Sequence, residues 1–307
     1  MEKVIVVIGP TSVGKTKMGV ALAKKFNGEV ISGDSMQIYK QMDIGTAKVT
    51  EEEKEGIIHH CVDILNSDET YSVHDFQQTV RKKITEITQR GHVPIIVGGT
   101  GLYIKAALYD YQFDEMENDH HAINEKYKDY TNEQLHDHLK SMDEESAKIL
   151  HFNNRRRVLR AIEIYETTGK RKSEMLEEQE HICLYDAYFV GLTLPRDVLY
   201  ERINKRVDVM MENGLKEEMD CLYSQGLTRN HQSMKAIGYK EWFDYYDHQI
   251  DLNDVLELIK KHSRQYAKRQ YTWFKNQFDV HWYDVNLENF EQTIEQVTDD
   301  IEKILKV

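Results

Sequence analysis

The stretch Gly9-Pro10-Thr11-Ser12-Val13-Gly14-Lys15-Thr16 constrains the fold more than any other part of this 307-residue chain. It fits the spacing G-x-x-x-x-G-K-[ST]. The β-branched run Val4–Ile8 precedes it, and Met18, Val20, Ala21, Leu22 and Ala23 follow at helical spacing. Glycines let the backbone curl so that successive N–H groups point at phosphate oxygens, and the following helix N-terminus adds its positive dipole end. Lys15 supplies a point charge. The Thr16 hydroxyl is a ligand for Mg²⁺ or for a phosphate oxygen. Glycine makes up roughly 7% of an average protein, so a match at four defined positions between a strand and a helix is improbable by chance. Residues 9–16 are therefore expected to bind a phosphate compound. Nucleotides and other diphosphates present similar oxygens, and the loop does not choose between them.

Beyond the loop the pattern alternates. Glu29–Ser32 and Ile95–Val97 read as short buried strands, and Phe76–Arg90 as a helix with apolar Val80, Ile84 and Ile87. Tyr188–Leu194 and Val280–Tyr283 read as strands again, separated by the helical stretches Leu199–Met211 and Val255–Phe274. Apolar strands alternating with helices indicate a parallel sheet covered on both faces. From 113 to 182 only helical patterns occur. The expected fold is α/β: a P-loop NTPase-like parallel sheet flanked by helices, formed by 1–112 and 183–307, with a helical insertion domain at 113–182.

Composition sets the class of protein. Hydrophobic residues make up 40% and charged residues 30%, as in a globular chain rather than a disordered one. A mean hydropathy of −0.65 and the lack of a long apolar run argue against a membrane span. The N-terminal apolar run is short and leads into the glycine-rich turn, so it reads as a first strand and not as a signal peptide. Cys61, Cys183 and Cys221 form no CxxC pair, which makes a reducing cytoplasm the default.

Lys and Arg number 40 against 53 Asp and Glu, a formal net charge of −13. That total argues against a nucleic-acid partner, but its distribution does not. Between Asp110 and Leu150 twelve acids face four bases, whereas His151–Lys172 holds seven bases and two acids. Lys260–Lys275 holds six bases, no acid, and the aromatics Tyr266, Tyr271, Trp273 and Phe274. A single basic run is usually a solvated helix face. Two such runs, one of them aromatic, in an acidic protein point to an anionic ligand.

A phosphoryl-transfer enzyme with this loop normally carries an Asp at the end of an apolar strand to hold Mg²⁺. Here the later strand ends Gly98-Gly99-Thr100-Gly101, with no carboxylate. Asp34 stands instead after the second strand, in Ser32-Gly33-Asp34-Ser35-Met36-Gln37, where ligands bind in open α/β sheets. An isolated Asp at such a place is also an ordinary turn residue.

Several segments occurring in one order carry a closer resemblance. GPTSVGKT, DSMQIYK (Asp34–Lys40), MDIGTAK (Met42–Lys48), PIIVGGTGLYI (Pro94–Ile104), RRRVLRAIEIYETTG (Arg155–Gly169), AIGYKE (Ala236–Glu241) and YAKRQYTWF (Tyr266–Phe274) resemble the tRNA dimethylallyltransferase (tRNA isopentenyltransferase) family. No Cys/His ligand pair stands near Val307, so the chain resembles the bacterial type rather than members with a zinc-finger tail. The resemblance implies transfer of a dimethylallyl group from dimethylallyl diphosphate to N6 of the adenosine 3′-adjacent to the anticodon, position 37. The tRNAs implied are those reading codons that begin with U.

The residues fit that chemistry. Lys15, the loop N–H groups and Mg²⁺ would stabilise the departing diphosphate. The family pattern implies one basic helix residue beside it, assigned to Arg206. Asp34 is the candidate base for the N6 proton, with Thr100 orienting the amine or the diphosphate. Gln37 offers an amide to an adenine edge, beside Ser35 and Met36. Arg155–Arg160, with Arg156, Arg157, Val158, Leu159 and Arg160 in the expected contact set, and Lys268 and Arg269 would hold the RNA. Lys235, Gly238 and Tyr239 would approach the anticodon. The expected partners are tRNA and dimethylallyl diphosphate, with no membrane, for a monomer in the cytoplasm. A P-loop kinase using ATP leaves DSMQ, GGTGLY and the basic aromatic helix unexplained. A nucleotide-driven RNA-binding switch leaves Asp34 and Thr100 unexplained. Prenylation of free AMP would need less basic surface. The adjacent pairs His59-His60 and His120-His121 cannot readily chelate one ion; the first reads as structural and the second as surface.

Overall fold

The structure, a computed structural model, describes residues 1–111, 120–177 and 181–305. The strands are β1 (Lys3–Ile8), β2 (Gly28–Ser32), β3 (His59–His60), β4 (Val93–Gly98), β5 (Asp186–Thr193) and β6 (His281–Asp284). The helices up to the insertion are α1 (Lys15–Lys25), α2 (Glu51–Lys54), α3 (Val73–Gln89) and α4 (Gly101–Leu108). Then come α5 (His120–Lys126), α6 (Asn132–Met142), α7 (Glu144–Ile149), α8 (Arg155–Thr168) and α9 (Lys172–Glu177). The remaining helices are α10 (Arg196–Glu212), α11 (Leu215–Ser224), α12 (Trp242–Tyr246), α13 (Leu252–Gln277) and α14 (Phe290–Leu305).

Among the described residues the strands form one six-stranded sheet in the order β3-β2-β4-β1-β5-β6. All its pairings are parallel. Side chains alternate across a strand, and both faces of β1 are buried: Val4, Val6 and Ile8 in one core, Ile5 and Val7 in the other. This is why the strand reads as an unbroken apolar run. It is the P-loop NTPase-like α/β arrangement expected from the alternating pattern.

Strand β3, at the edge, is two residues long and carries no periodic signal. Its His60 Nε2 lies 2.6 Å from the buried carboxylate of Glu29, and His59 Nδ1 lies 2.9 Å from the Ile57 carbonyl. The side chains of His120 and His121 lie outside the described residues.

The chain divides into two compact units, 1–109 with 183–307, and 110–182. Position 113, where the sequence pattern turns purely helical, falls outside the described residues. The second unit has its own core of Ile123, Tyr127, Leu135, Leu139, Val158, Leu159, Ala161 and Ile162.

Candidate active site

The parallel order places the carboxyl ends of β1, β4 and β2 side by side, and the loops leaving them carry the chemistry. After β1 the chain reaches Gly14, whose φ of 103° forms the left-handed N-cap of α1, a conformation that favours glycine. Lys15 begins that helix, and its Nζ donates to the Pro10 carbonyl at 2.7 Å. Helix α10 leans on the same loop. Arg206 Nη1 donates to the Thr11 hydroxyl at 3.2 Å, and Arg202 Nε donates to the Ser12 carbonyl at 3.0 Å.

After β2 the chain passes Gly33 and reaches Asp34. A Cβ added at Gly98, the end of β4, would lie 2.3 Å from the Gly33 backbone, so only glycine permits this approach of the two strand ends. The Gly33 N–H donates to Val97 O at 2.8 Å, and Thr100 N–H donates to Gly33 O at 3.2 Å. Thr100 Oγ1 in turn accepts the Ser35 N–H at 3.1 Å. Asp34 Oδ1 accepts the Met36 N–H at 2.8 Å, the local turn that such an Asp forms. The turn aims the carboxyl instead of consuming it, since an ionised carboxylate has about four acceptor sites. Gln37 is held at both ends of its amide: Ser32 Oγ donates to Oε1 at 3.0 Å, and Nε2 donates to the Thr46 and Ala47 carbonyls at 3.4 and 3.3 Å.

The charges are coupled. Burial pushes the Asp34 carboxyl above the usual range; the Met36 N–H, Lys15, the Gln37 N–H and Arg206 oppose that rise. Burial also pushes Lys15 down to about 7, helped by the Arg206 charge and opposed by Asp34. Arg206 is itself lowered by burial, with Asp34 holding it up. A carboxyl raised and an amine lowered in one cleft is how proteins tune groups for proton transfer and anion binding.

Two clefts meet here. One of about 730 Å³ is lined by Lys15, Thr16, Arg206, Asp34 and Gln37. The other, of about 340 Å³, is lined by Asp34, Met36, Arg206, Lys235, Gly238 and Arg269 among others. Asp34 and Arg206 belong to both. Among the described residues no group of three or more His, Cys, Asp or Glu side chains could hold a metal ion. The Thr16 hydroxyl lines the larger cleft and could hold a divalent ion such as Mg²⁺ together with oxygens of a phosphate ligand.

Sequence reasoning missed Gln270, whose α13 position had been absorbed into a basic run. This buried amide accepts the Thr11 N–H at 3.0 Å and donates to Gly99 O at 2.9 Å, so α13 ties the phosphate loop to the end of β4. No local pattern marks it, because both of its partners lie far away in the sequence. Tyr266 OH also reaches Gly99 O, at 3.3 Å, and burial beside Asp34 raises its phenol to about 12.

The expected RNA contacts separate. Lys235, Lys268 and Arg269 are exposed. Tyr239 is fully buried, with its hydroxyl donating to Glu218 at 2.7 Å. In the helical unit Arg156 and Arg157 are exposed. Val158 and Leu159 are buried at 0% and 4% exposure, so their side chains pack the core of that unit and do not face a ligand. Arg155 is also spent internally, donating to the Tyr130 and Tyr127 carbonyls at 2.7 and 2.6 Å. Arg160 pairs with Glu163 at 2.8 Å.

The sequence matches the family model described as IPP transferase over residues 37–277. Proteins of Bacillus cereus and Bacillus anthracis named tRNA dimethylallyltransferase are 54% identical to it over 287 residues, 92% of this chain and 90–91% of theirs. The chain belongs to the IPP transferase family. Solved structures agree with that membership. A tRNA Δ(2)-isopentenylpyrophosphate transferase of Staphylococcus epidermidis shares 47% identity and a TM-score of 0.74, with 99% of each chain covered. A eukaryotic dimethylallyltransferase acting on tRNA shares 33% identity and a TM-score of 0.86, covering 99% of this chain and 79% of that one. The IPP transferase match includes Thr100, Arg206, Lys235–Tyr239 and Gln270. It begins at Gln37, so Asp34 and the P-loop are tied to the family by the whole-chain likeness and by their place in the cleft.

Proposed function

We propose that this protein transfers the dimethylallyl group of dimethylallyl diphosphate to N6 of adenosine 37 in tRNAs reading codons that begin with U, releasing diphosphate. The observation that carries the proposal is the meeting of a cationic phosphate loop, Lys15 with Arg206, and a buried carboxyl, Asp34, along two joined clefts. An anion leaves on one side of such a site and a proton leaves on the other.

In the proposed course the allylic C–O bond breaks and the C–N bond to N6 forms. The loop N–H groups, Lys15 and Arg206 stabilise the charge that builds on the leaving diphosphate. The Thr16 hydroxyl would hold Mg²⁺, which would supply further neutralisation of the leaving group. Asp34 takes the N6 proton, and Thr100 keeps the Asp34–Ser35 turn in register by accepting the Ser35 N–H. Gln37 pairs with the adenine edge; its NH₂ donates to the Thr46 and Ala47 carbonyls and its oxygen accepts Ser32 Oγ, which leaves an oxygen lone pair to accept from the base. The base leaves its stack in the anticodon loop to reach these groups. Lys235, Lys268 and Arg269 in the core unit, and Arg156 and Arg157 in the helical unit, contact RNA phosphates. The protein works as a monomer in the cytoplasm. Among the described residues no helix is long and apolar enough to cross a membrane.

Incubation with labelled dimethylallyl diphosphate, Mg²⁺ and either unmodified tRNA or AMP tests the reading. Label is expected at adenosine 37 of the tRNA. Label confined to AMP, or a requirement for ATP, would overturn it.

A further inference from the structure

Glu218, on α11, is outside the groups used above. Its carboxylate accepts three consecutive backbone N–H groups: Asp43 at 2.8 Å and Ile44 at 2.7 Å to Oε2, and Gly45 at 3.0 Å to Oε1. It also accepts the Tyr239 hydroxyl at 2.7 Å. The Tyr239 ring lies so close over Gly45 that a Cβ there would come within 2.5 Å of its Cζ. The loop thus gripped continues to Thr46 and Ala47, whose carbonyls receive Gln37 Nε2. Gly45, Thr46 and Ala47 line the same cleft as Lys235 and Gly238, and Thr46 and Ala47 also line the cleft that holds Lys15 and Gln37.

We infer that Glu218 is a positioning residue for recognition of the adenosine: it fixes the 43–47 loop and, through it, the direction in which the Gln37 amide faces the base. The inference rests on the proposed reaction. Four donors converge on one carboxylate, and hydrogen bonds to a charged acceptor are about twice as strong as neutral ones. A carboxylate also suits this place because it offers only acceptors, whereas every group around it is a donor. A glutamine would turn an NH₂ towards some of those donors. Glu218 lines neither cleft, and its hydrogen bonds go to the 43–45 backbone and to Tyr239, so its loss acts through the 43–47 loop and Gln37 rather than on Lys15, Arg206 or Asp34 directly.

The test is Glu218→Gln in the full chain, with KM measured separately for tRNA and for dimethylallyl diphosphate, and with hydrogen exchange followed in both proteins. Loss of charge-assisted bonds of this kind is expected to raise KM for tRNA about 10- to 100-fold. KM for dimethylallyl diphosphate should stay within about twofold, a smaller change than one lost hydrogen bond produces. The 43–45 amides should exchange faster while residues 9–16 keep their protection. Equal changes in both KM values, or unchanged protection at 43–45, would overturn the assignment. Should the Gln variant not fold, Tyr239→Phe removes a single donor and is expected to shift KM for tRNA alone, by a smaller factor. No shift in that variant would likewise count against it. A wild-type protein that fails to label tRNA refutes the proposed reaction instead, and the exchange measurement still reads the loop.

Discussion

Arg206 Nη1 donates a hydrogen bond to the Thr11 hydroxyl at 3.2 Å, so a helix 195 residues further along the chain is anchored on the phosphate loop. Its guanidinium, half-buried and electrostatically coupled to Lys15 and Asp34, lines both clefts and is proposed to meet the diphosphate. Arg206→Ala is expected to lower kcat by about 10²–10³, the size of effect seen when one donor to a developing anion is lost. Arg206→Lys should recover only part of this, because an ammonium lacks the planar fork. Single-turnover rates check the prediction, and full activity of Arg206→Ala would exclude the residue from anion stabilisation.

Asp34 sits in a turn that survives isosteric replacement, since an Asn Oδ1 can still accept the Met36 N–H. Asp34→Asn and Asp34→Ala are both expected to lose about 10²–10⁴ in kcat, the usual contribution of a positioned base, while tRNA still binds. Near-normal single-turnover rates with tRNA affinity retained would remove Asp34 from the role.

The two coupled groups predict a bell-shaped dependence of kcat/KM for dimethylallyl diphosphate on pH. The acid limb rises as Asp34 loses its proton, above the ordinary carboxylate range because burial favours the neutral form. The alkaline limb falls as Lys15 loses its charge near 7. In kcat, which reports the bound complex, the alkaline limb should move to higher pH, because the diphosphate charge favours the ammonium. Asp34→Asn should abolish the acid limb. An alkaline limb identical in kcat and kcat/KM would show that Lys15 does not face the bound anion.

Gly98→Ala tests the register of the site. The new Cβ would sit 2.3 Å from the Gly33 backbone, which cannot move without parting β2 from β4. Overpacking of this kind costs about 1–3 kcal/mol. Activity should fall with stability, since Asp34 and Thr100 hang from the two strand ends. Denaturant unfolding and turnover, measured on one preparation, check both; an unchanged midpoint would mean the strands are less tightly apposed.

Salt dependence sorts the basic residues. Replacing Arg156, Arg157, Lys268 or Arg269 by Ala should each reduce the slope of log K for tRNA against log salt by roughly 0.7–1. Arg155→Ala should leave the slope unchanged and destabilise the helical unit, because its guanidinium holds the Tyr127 and Tyr130 carbonyls. A titration series of filter-binding measurements reads both, and a flat slope for the wild-type protein would exclude phosphate contacts.

Much of this protein is local in origin. The phosphate loop, the two-faced apolar strands and the family motifs are contiguous residues whose conformation follows from near neighbours, so the sequence alone determined the α/β class and the family, and it named Asp34 as the proposed base. It also separated the acidic stretch at 110–150 from the basic runs, which the net charge of −13 had concealed. What the tertiary structure decided was long-range. Whether an arginine in a run of four is available depends on the carbonyls and carboxylates that packing brings to it, which is why Arg155 and Arg160 are occupied while Arg156 and Arg157 are exposed. Val158 and Leu159 turned inward because α8 must bury one stripe to form the core of its unit. Gln270 and Glu218 belong to no local pattern at all. One joins a C-terminal helix to the phosphate loop, the other joins α11 to three consecutive N–H groups, and such pairings exist only once the sheet order has brought distant segments together.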